Sequence, residues 1–90
     1  MKRTPTRCPA CDGELMVTEL SCRACPTQVS GEYRLPPMLR VPAEDQQFLL
    51  DFILASGSLK AMARQLGVSY PTVRNRLDNV IALLQEETEQ

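Results

Sequence analysis

Cysteine occurs at only four positions of the chain, and these positions form two pairs with the same internal spacing. The first pair is Cys8 and Cys11, and the second is Cys22 and Cys25. A C-x-x-C turn aims both of its thiolates at one ion, and two such turns complete a tetrahedral site with four sulfur ligands. We therefore predict one Zn²⁺ per chain, in a closed site with a structural role. Iron held by the same sulfurs, disulfides and a redox dithiol are the alternatives.

The residues around the cysteine pairs have the pattern of a zinc ribbon. One strand is predicted from Glu14 to Ser21, before the second cysteine pair. A second, half-buried strand is predicted where alternate residues are apolar or glycine, at Val29, Gly31, Tyr33 and Leu35. Pro26 directly follows Cys25 and removes a backbone N–H that a thiolate would otherwise accept. The ribbon domain is predicted to span residues 1–35.

A helix, a tight turn and a second helix are predicted further along the chain. The first helix has its apolar side chains on one face, at Leu59, Met62, Ala63 and Leu66. Gly67 ends this helix, because glycine adopts the left-handed backbone of a tight C-cap without strain. Val68 is predicted to be the apolar plug of the turn, and Ser69 the N-cap of the next helix. These offsets indicate a helix-turn-helix, and an ordinary helix pair is the alternative.

The second helix of this motif is the one that would enter a DNA major groove. Val73 and Leu77 are four residues apart and are predicted to point inward, which leaves the polar side chains outside. The predicted DNA-contact residues are Ser69, Tyr70, Pro71, Thr72, Arg74, Asn75, Arg76 and Lys60.

Two kinds of DNA contact are expected from this set. Arginine grips guanine and asparagine grips adenine through paired hydrogen bonds, so Arg74 and Asn75 are the candidates for reading bases. Arg76 and Lys60 are better placed for backbone phosphates, which position a protein without reading sequence. The alternative interpretation is a solvated Arg76, together with an Arg74 that pairs with Asp78 one helical turn on.

The helices that flank this motif carry more apolar side chains than one small core needs. Residues 36–42 form the predicted linker, which docks through Leu39 and Val41. The next helix, from about Ala43 to Ala55, is apolar nearly all round and must be covered on more than one side. The last helix is expected to fray at its acidic end, residues 86–90. We predict at least a dimer, with candidate interface residues Leu50, Leu54, Ile81 and Leu84.

Composition excludes several classes of protein. The chain has 90 residues, 43% of them hydrophobic, and contains neither a run long enough to cross a membrane nor a signal-peptide pattern. The absence of histidine removes the Cys–His and Ser–His nucleophilic schemes, so no enzymatic activity is expected. The cytoplasm is the expected location. Four thiolates on zinc and a formal net charge of −1 give an acidic total, which argues against DNA binding.

The order of these motifs resembles one family over nearly the whole chain. The elements are C-P-x-C, a strand, C-x-x-C, G-E-Y-x-L-P, an apolar helix and the run S-Y-P-T-V-R-N-R-L-D from Ser69 to Asp78. Together they resemble the prokaryotic domain-of-unknown-function family two thousand and eighty-nine. The resemblance implies an α+β fold, with a small N-terminal β zinc ribbon followed by an all-α helix-turn-helix domain. That domain, residues 43–90, has three helices, the last of them long.

Two functions are compatible with this pattern. The first is a regulator that binds double-stranded DNA, because Lys60, Arg64, Arg74 and Arg76 lie on the two helices that would face it. The second is a regulatory, oligomeric adaptor that captures a protein partner through the ribbon or a helix face. The resemblance implies a regulatory role and does not separate the two.

Overall fold

The computed structural model describes residues 4–88 and confirms an α+β fold. An N-terminal two-stranded antiparallel sheet is followed by helices. In chain order the elements are β1 (Met16–Ser21), β2 (Gln28–Arg34), α1 (Pro37–Arg40), α2 (Ala43–Leu54), α3 (Leu59–Leu66) and α4 (Tyr70–Thr88). Within residues 4–88, no helix has both the length and the apolar character that crossing a bilayer requires.

The two strands pair through a register that changes in the middle of the hairpin. Val17 lies opposite Tyr33, whereas Leu20 lies opposite Val29. One residue of β1 therefore faces two residues of β2, which is the geometry of a β-bulge and interrupts the alternation of side chains along β2. The prediction of a half-buried strand is wrong, because every residue of β2 is exposed. Leu35, directly after the strand, is buried.

The hydrophobic core belongs to the helical part of the chain. Its buried side chains come from α2, α3 and α4, and they are Phe48, Leu49, Met62, Val73, Leu77 and Val80. The inward positions predicted for α4 are thus confirmed at Val73 and Leu77. Two predictions at the turn are wrong: Leu66 is 46% exposed and Val68 is 41% exposed. Met62 is the last buried residue of α3 in this core, with Ala63 partly buried against it, and Leu66 lies one helical turn further on.

The predicted linker contains a short helix that the sequence did not indicate. In α1 the charged side chain is inside and the apolar ones are at the surface, because Arg40 is 7% exposed while Met38 and Leu39 are 45% and 40% exposed. Val41, directly after α1, is buried as predicted. The linker therefore docks as predicted, but through Val41, because Leu39 is 40% exposed.

The buried guanidinium of Arg40 joins the ribbon to the end of α4. It lies 3.3 Å from a carboxylate oxygen of Glu87 and 3.7 Å from one of Glu14, and it donates a 2.9 Å hydrogen bond to the Glu87 carbonyl oxygen. Glu87 also pairs with Arg7 at 3.5 Å, and Glu14 pairs with Arg34 at 2.6 Å. The predicted fraying is wrong for residues 86–88, because these contacts hold the last turn of α4 in place through Thr88, while residues 89–90 lie outside the described residues.

The four residues predicted at an oligomer interface differ in their surroundings. Leu50 and Leu54 lie on the outer face of α2, and Leu54 is 73% exposed. Leu84 is partly buried and packs against the core, while Ile81 remains exposed. The side chains available to another molecule are therefore mainly those of α2.

Candidate metal centre and nucleic-acid interface

The two cysteine pairs lie in turns that are built in the same way. The N–H of Cys8 donates to the carbonyl oxygen of Gly13 at 2.9 Å, and the N–H of Cys22 donates to that of Thr27 at the same distance. Both bonds span five residues and close a tight loop around the C-x-x-C segment. The ribbon therefore presents two knuckles closed by the same backbone hydrogen bond, one before β1 in the chain and one after it.

Backbone N–H groups inside each knuckle point at the first sulfur. Ala10 donates to Cys8 Sγ at 3.4 Å, and Ala24 donates to Cys22 Sγ at 3.3 Å. The N–H groups of Cys11 and Ala10 hold the pKa of the Cys8 thiol below its ordinary value, because they stabilise the thiolate. This is the protonation state that a metal requires of its cysteine ligands.

Thr27 replaces the donor that Pro26 removes from the second knuckle. Its hydroxyl oxygen lies 3.1 Å from Cys25 Sγ, and only the hydroxyl can donate when the sulfur is a thiolate. The Thr27 hydroxyl, followed by the Thr27 N–H, lowers the pKa of the Cys25 thiol. The sequence carried a signal for this contact, because a proline directly after a ligand creates a need for another donor. The sequence analysis did not identify Thr27 as that donor.

The structure brings each cysteine pair together but not all four cysteines. The Cys11 side chain contributes to the lowered pKa of the Cys8 thiol, and the Cys22 side chain does the same for the Cys25 thiol. Among residues 4–88, no three cysteine or acidic side chains lie close enough to hold one ion. The donor set itself fits zinc, because four sulfurs in two preformed knuckles supply the soft tetrahedral ligands that this ion takes. Forming the predicted centre requires the knuckles to approach each other.

The turn between α3 and α4 has the caps that the sequence predicted. Gly67 adopts the left-handed conformation, with φ of 68°. At the start of α4, the Ser69 hydroxyl accepts the N–H of Thr72 at 3.4 Å and lies 2.8 Å from the Thr72 hydroxyl. Ser69 and Thr72 are thus used to begin the helix, as a cap and its partner. This geometry fixes the direction in which α4 leaves the turn.

The outer side of this motif presents cationic and amide groups to solvent. Tyr70, Pro71 and Asn75 are exposed on the first turns of α4, and Lys60 and Arg64 are exposed on α3. Within residues 4–88, the side chains of Asn75, Lys60 and Arg64 make no hydrogen bond or ion pair. They are available for an external ligand without breaking an internal contact.

The two arginines of α4 have different surroundings. Arg74 lies 3.5 Å from Asp78 in an exposed pair one helical turn apart, as the alternative interpretation expected. Arg76 is turned toward α2: it donates to the Glu44 carbonyl oxygen at 3.3 Å and lies 4.8 Å from the ring centre of Phe48. Asp45 is 4.0 Å from the same guanidinium. Arg76 thus braces α4 against α2, and its predicted contact with phosphate stays a prediction.

Sequence reasoning missed the residues that join the two parts of the chain. Glu14, Arg40 and Glu87 are far apart in sequence, and nothing in their local patterns distinguishes them from solvated charges. Arg40 carried a weak signal, because it is the only charge between residues 35 and 43.

Comparison with known families covers both parts of the chain. The family described as "DUF2089 zinc ribbon" matches residues 8–39, and the one described as "Domain of unknown function (DUF2089)-HTH" matches residues 41–87. No curated protein and no solved structure matches the chain. The helix-turn-helix suggests DNA binding, and the cysteine pairs of the ribbon suggest zinc binding. The chain belongs to the DUF2089 family, with a zinc ribbon followed by a helix-turn-helix domain.

Proposed function

We propose that this protein is a DNA-binding transcriptional regulator of the cytoplasm, which acts as a homodimer and holds one structural zinc ion in its ribbon. The observation that carries the proposal is the exposed surface formed by α3 and the first turns of α4. A capped turn sets the direction of α4, and Lys60, Arg64 and Asn75 lie on this surface with their polar groups unused. No catalytic step is part of the proposal.

The pairing of Arg74 with Asp78 does not oppose this function. An exposed ion pair one turn apart on a helix contributes about 0.3–0.5 kcal/mol. A paired hydrogen bond from arginine to guanine discriminates by about 1–3 kcal/mol. Exchanging the first contact for the second is therefore favourable. The acidic total charge, with a pI of about 5.3, matters less than this local distribution.

Binding is tested with duplexes selected from a random pool by the zinc-loaded protein, and then with single variants. Arg74→Ala and Asn75→Ala should each weaken the selected site by about 1–3 kcal/mol and relax its specificity. Lys60→Ala should weaken all sequences alike and flatten the dependence of affinity on salt concentration. Gln85→Ala, exposed on the same helix but about 15 Å further along, is the matched control and should have no effect.

A protein-interaction adaptor is the second candidate, and a separate observation favours it. The hairpin exposes Leu20, Val29 and Tyr33, which lie outside the surface formed by α3 and α4. If no duplex binds more tightly than micromolar at low salt, and a hairpin variant such as Leu20→Glu abolishes capture of a protein partner, the adaptor is the correct function.

A further inference from the structure

The short helix α1 has the polarity of an element that contacts a second molecule. Its arginine is buried, while Met38 and Leu39 are exposed by 45% and 40%. Leaving two large apolar side chains in water while burying a charge is unfavourable unless another surface covers the apolar pair. In α1 the arginine is held from inside by Glu14 and Glu87, so the apolar pair is fixed on the outside.

The outer face of α2 continues this apolar surface. Phe48 is buried against α3 and α4, whereas Leu50, Ile53 and Leu54 are exposed by 50%, 63% and 73% on the opposite side of the helix. A groove of about 370 Å³ runs between α1 and α2. We define the α1–α2 face by its five exposed apolar side chains, Met38, Leu39, Leu50, Ile53 and Leu54.

Among the described residues 4–88, no charged side chain lines the groove. Besides residues of the α1–α2 face, it is lined by Thr4, Ala43, Gln46, Gln47 and Leu49. A two-fold contact places a surface against its own copy, so a charge at its centre would meet a like charge. This face is therefore self-complementary in charge, which distinguishes it from the outer side of α4 with its arginine and acidic residues.

We propose that the α1–α2 face is the interface of a two-fold homodimer, and that the occupant of the groove is a second copy of this chain. The inference rests on the proposed function in one respect, since a dimer gives that function two recognition helices. In an antiparallel pairing of α2 helices, Ile53 and Leu54 of one copy lie over the end of the other that begins at Ala43. The small Ala43 and the groove beside it accommodate those two side chains.

The available surface is of the right size for a small dimer. A specific interface needs about 1,000 Å² in total, or about 500 Å² from each copy. Five large aliphatic side chains, exposed by 40–73%, supply most of that requirement from each copy. The contact also leaves α4 accessible, because the α1–α2 face lies on the side of α2 opposite to the core.

Sedimentation of the zinc-loaded chain at micromolar concentration tests the interface. The native chain should sediment as a dimer of the 10.1 kDa chain. Leu54→Glu should weaken dimerisation roughly 30-fold or more, the range of a hot-spot residue, because it places a carboxylate in the apolar contact over Ala43. It should leave the fold intact, because Leu54 is the most exposed of the five. Leu20→Glu is the matched control: it introduces the same charge at a 57% exposed leucine of the hairpin and should leave the dimer intact.

Three results would overturn the interface. They are a native chain that stays monomeric, equal effects of Leu54→Glu and Leu20→Glu, and dissociation by Ile81→Glu without dissociation by Leu54→Glu. DNA binding by the same samples separates the two proposals. A dimer that depends on Leu54 but binds no duplex supports the interface and refutes the DNA-binding function. A monomer that binds a selected duplex refutes the interface and supports the DNA-binding function.

Discussion

Replacing Arg40 by methionine tests whether a buried ion cluster holds the ribbon against the helical domain. Methionine keeps most of the length and apolar volume of the side chain and removes the guanidinium. The variant leaves Glu87, whose side chain is only 14% exposed, without its closest cation. It also removes the donor to the Glu87 carbonyl oxygen, one of the last carbonyls of α4, which have no partner within the helix.

The expected loss of stability depends on the ion pairs that remain after Arg40 is replaced. Breaking a buried ion pair by removing one partner costs about 3–5 kcal/mol when the other charge is left uncompensated. Here Glu87 keeps Arg7 at 3.5 Å, and Glu14 keeps Arg34 at 2.6 Å, so the residual charges are partly compensated. We therefore expect a loss of about 2–4 kcal/mol, from the lower part of that range together with one charged hydrogen bond. This is a large share of the total for a small domain, about 5–15 kcal/mol.

Urea unfolding of the zinc-loaded protein, followed by circular dichroism, measures this loss. Arg74→Met is the matched control, because it breaks an ion pair in which both side chains are 53% exposed and should cost about 0.5 kcal/mol or less. Amide exchange in the last turn of α4 should accelerate in Arg40→Met and not in Arg74→Met. Equal losses of stability in the two variants, or unchanged exchange at residues 84–88, would refute this role of Arg40.

Three further predictions concern the ribbon and the turn. Elemental analysis of protein purified without added metal should find one zinc per chain, and a folded ribbon free of metal would contradict this. Thr27→Val should release zinc to a competing chelator roughly 10-fold faster or more, the loss typical of outer-shell partners, while Thr27→Ser should restore the native rate. Gly67→Ala should lower the free energy of unfolding in urea by about 1–2 kcal/mol, because alanine is strained at a φ of 68°. No atom lies within 4 Å of the added carbon, so this backbone strain is the whole cost. A cost below about 0.5 kcal/mol would show that the left-handed cap is not needed there.

The parts of the fold that sequence predicts well are those fixed by neighbouring residues. Gly67 ends α3, and Ser69 accepts the N–H of Thr72 at 3.4 Å and begins α4. The spacing of Val73 and Leu77 identifies the inner face of α4, because a helix repeats its faces every three to four residues. Each of these features depends on a few adjacent positions, so one sequence is enough to read them.

The predictions that are wrong depend on how much surface the rest of the chain can cover. Leu66 and Val68 have the right spacing for burial, but the three-helix core is too small to reach them. The alternation in β2 predicts one buried face, yet within residues 4–88 no helix packs along the hairpin, and the bulge changes its register. Arg40 is buried, against the rule that charged side chains are exposed, because two carboxylates distant in sequence pair with it. A hydropathy pattern contains no information about such partners.

We expect the ribbon to depend on zinc, because its own strands supply little stability. β1 and β2 bury almost no apolar side chain, so the hairpin gains little from the hydrophobic effect, and isolated two-stranded hairpins are at best marginally stable. Two kinds of interaction remain to hold it: the predicted bonds of four thiolates to one ion, and the salt bridges that Glu14 makes with Arg34 and Arg40 and that Arg7 makes with Glu87. The first requires the knuckles to approach, and the second fixes the base of β1 to the last turn of α4. Because Glu14 follows the first knuckle by three residues, closing the metal centre and seating the ribbon on the helical domain involve the same stretch of backbone. We therefore expect zinc removal to unfold the ribbon and to accelerate amide exchange at the end of α4. The folding rate of α3 and of the helical core should not fall.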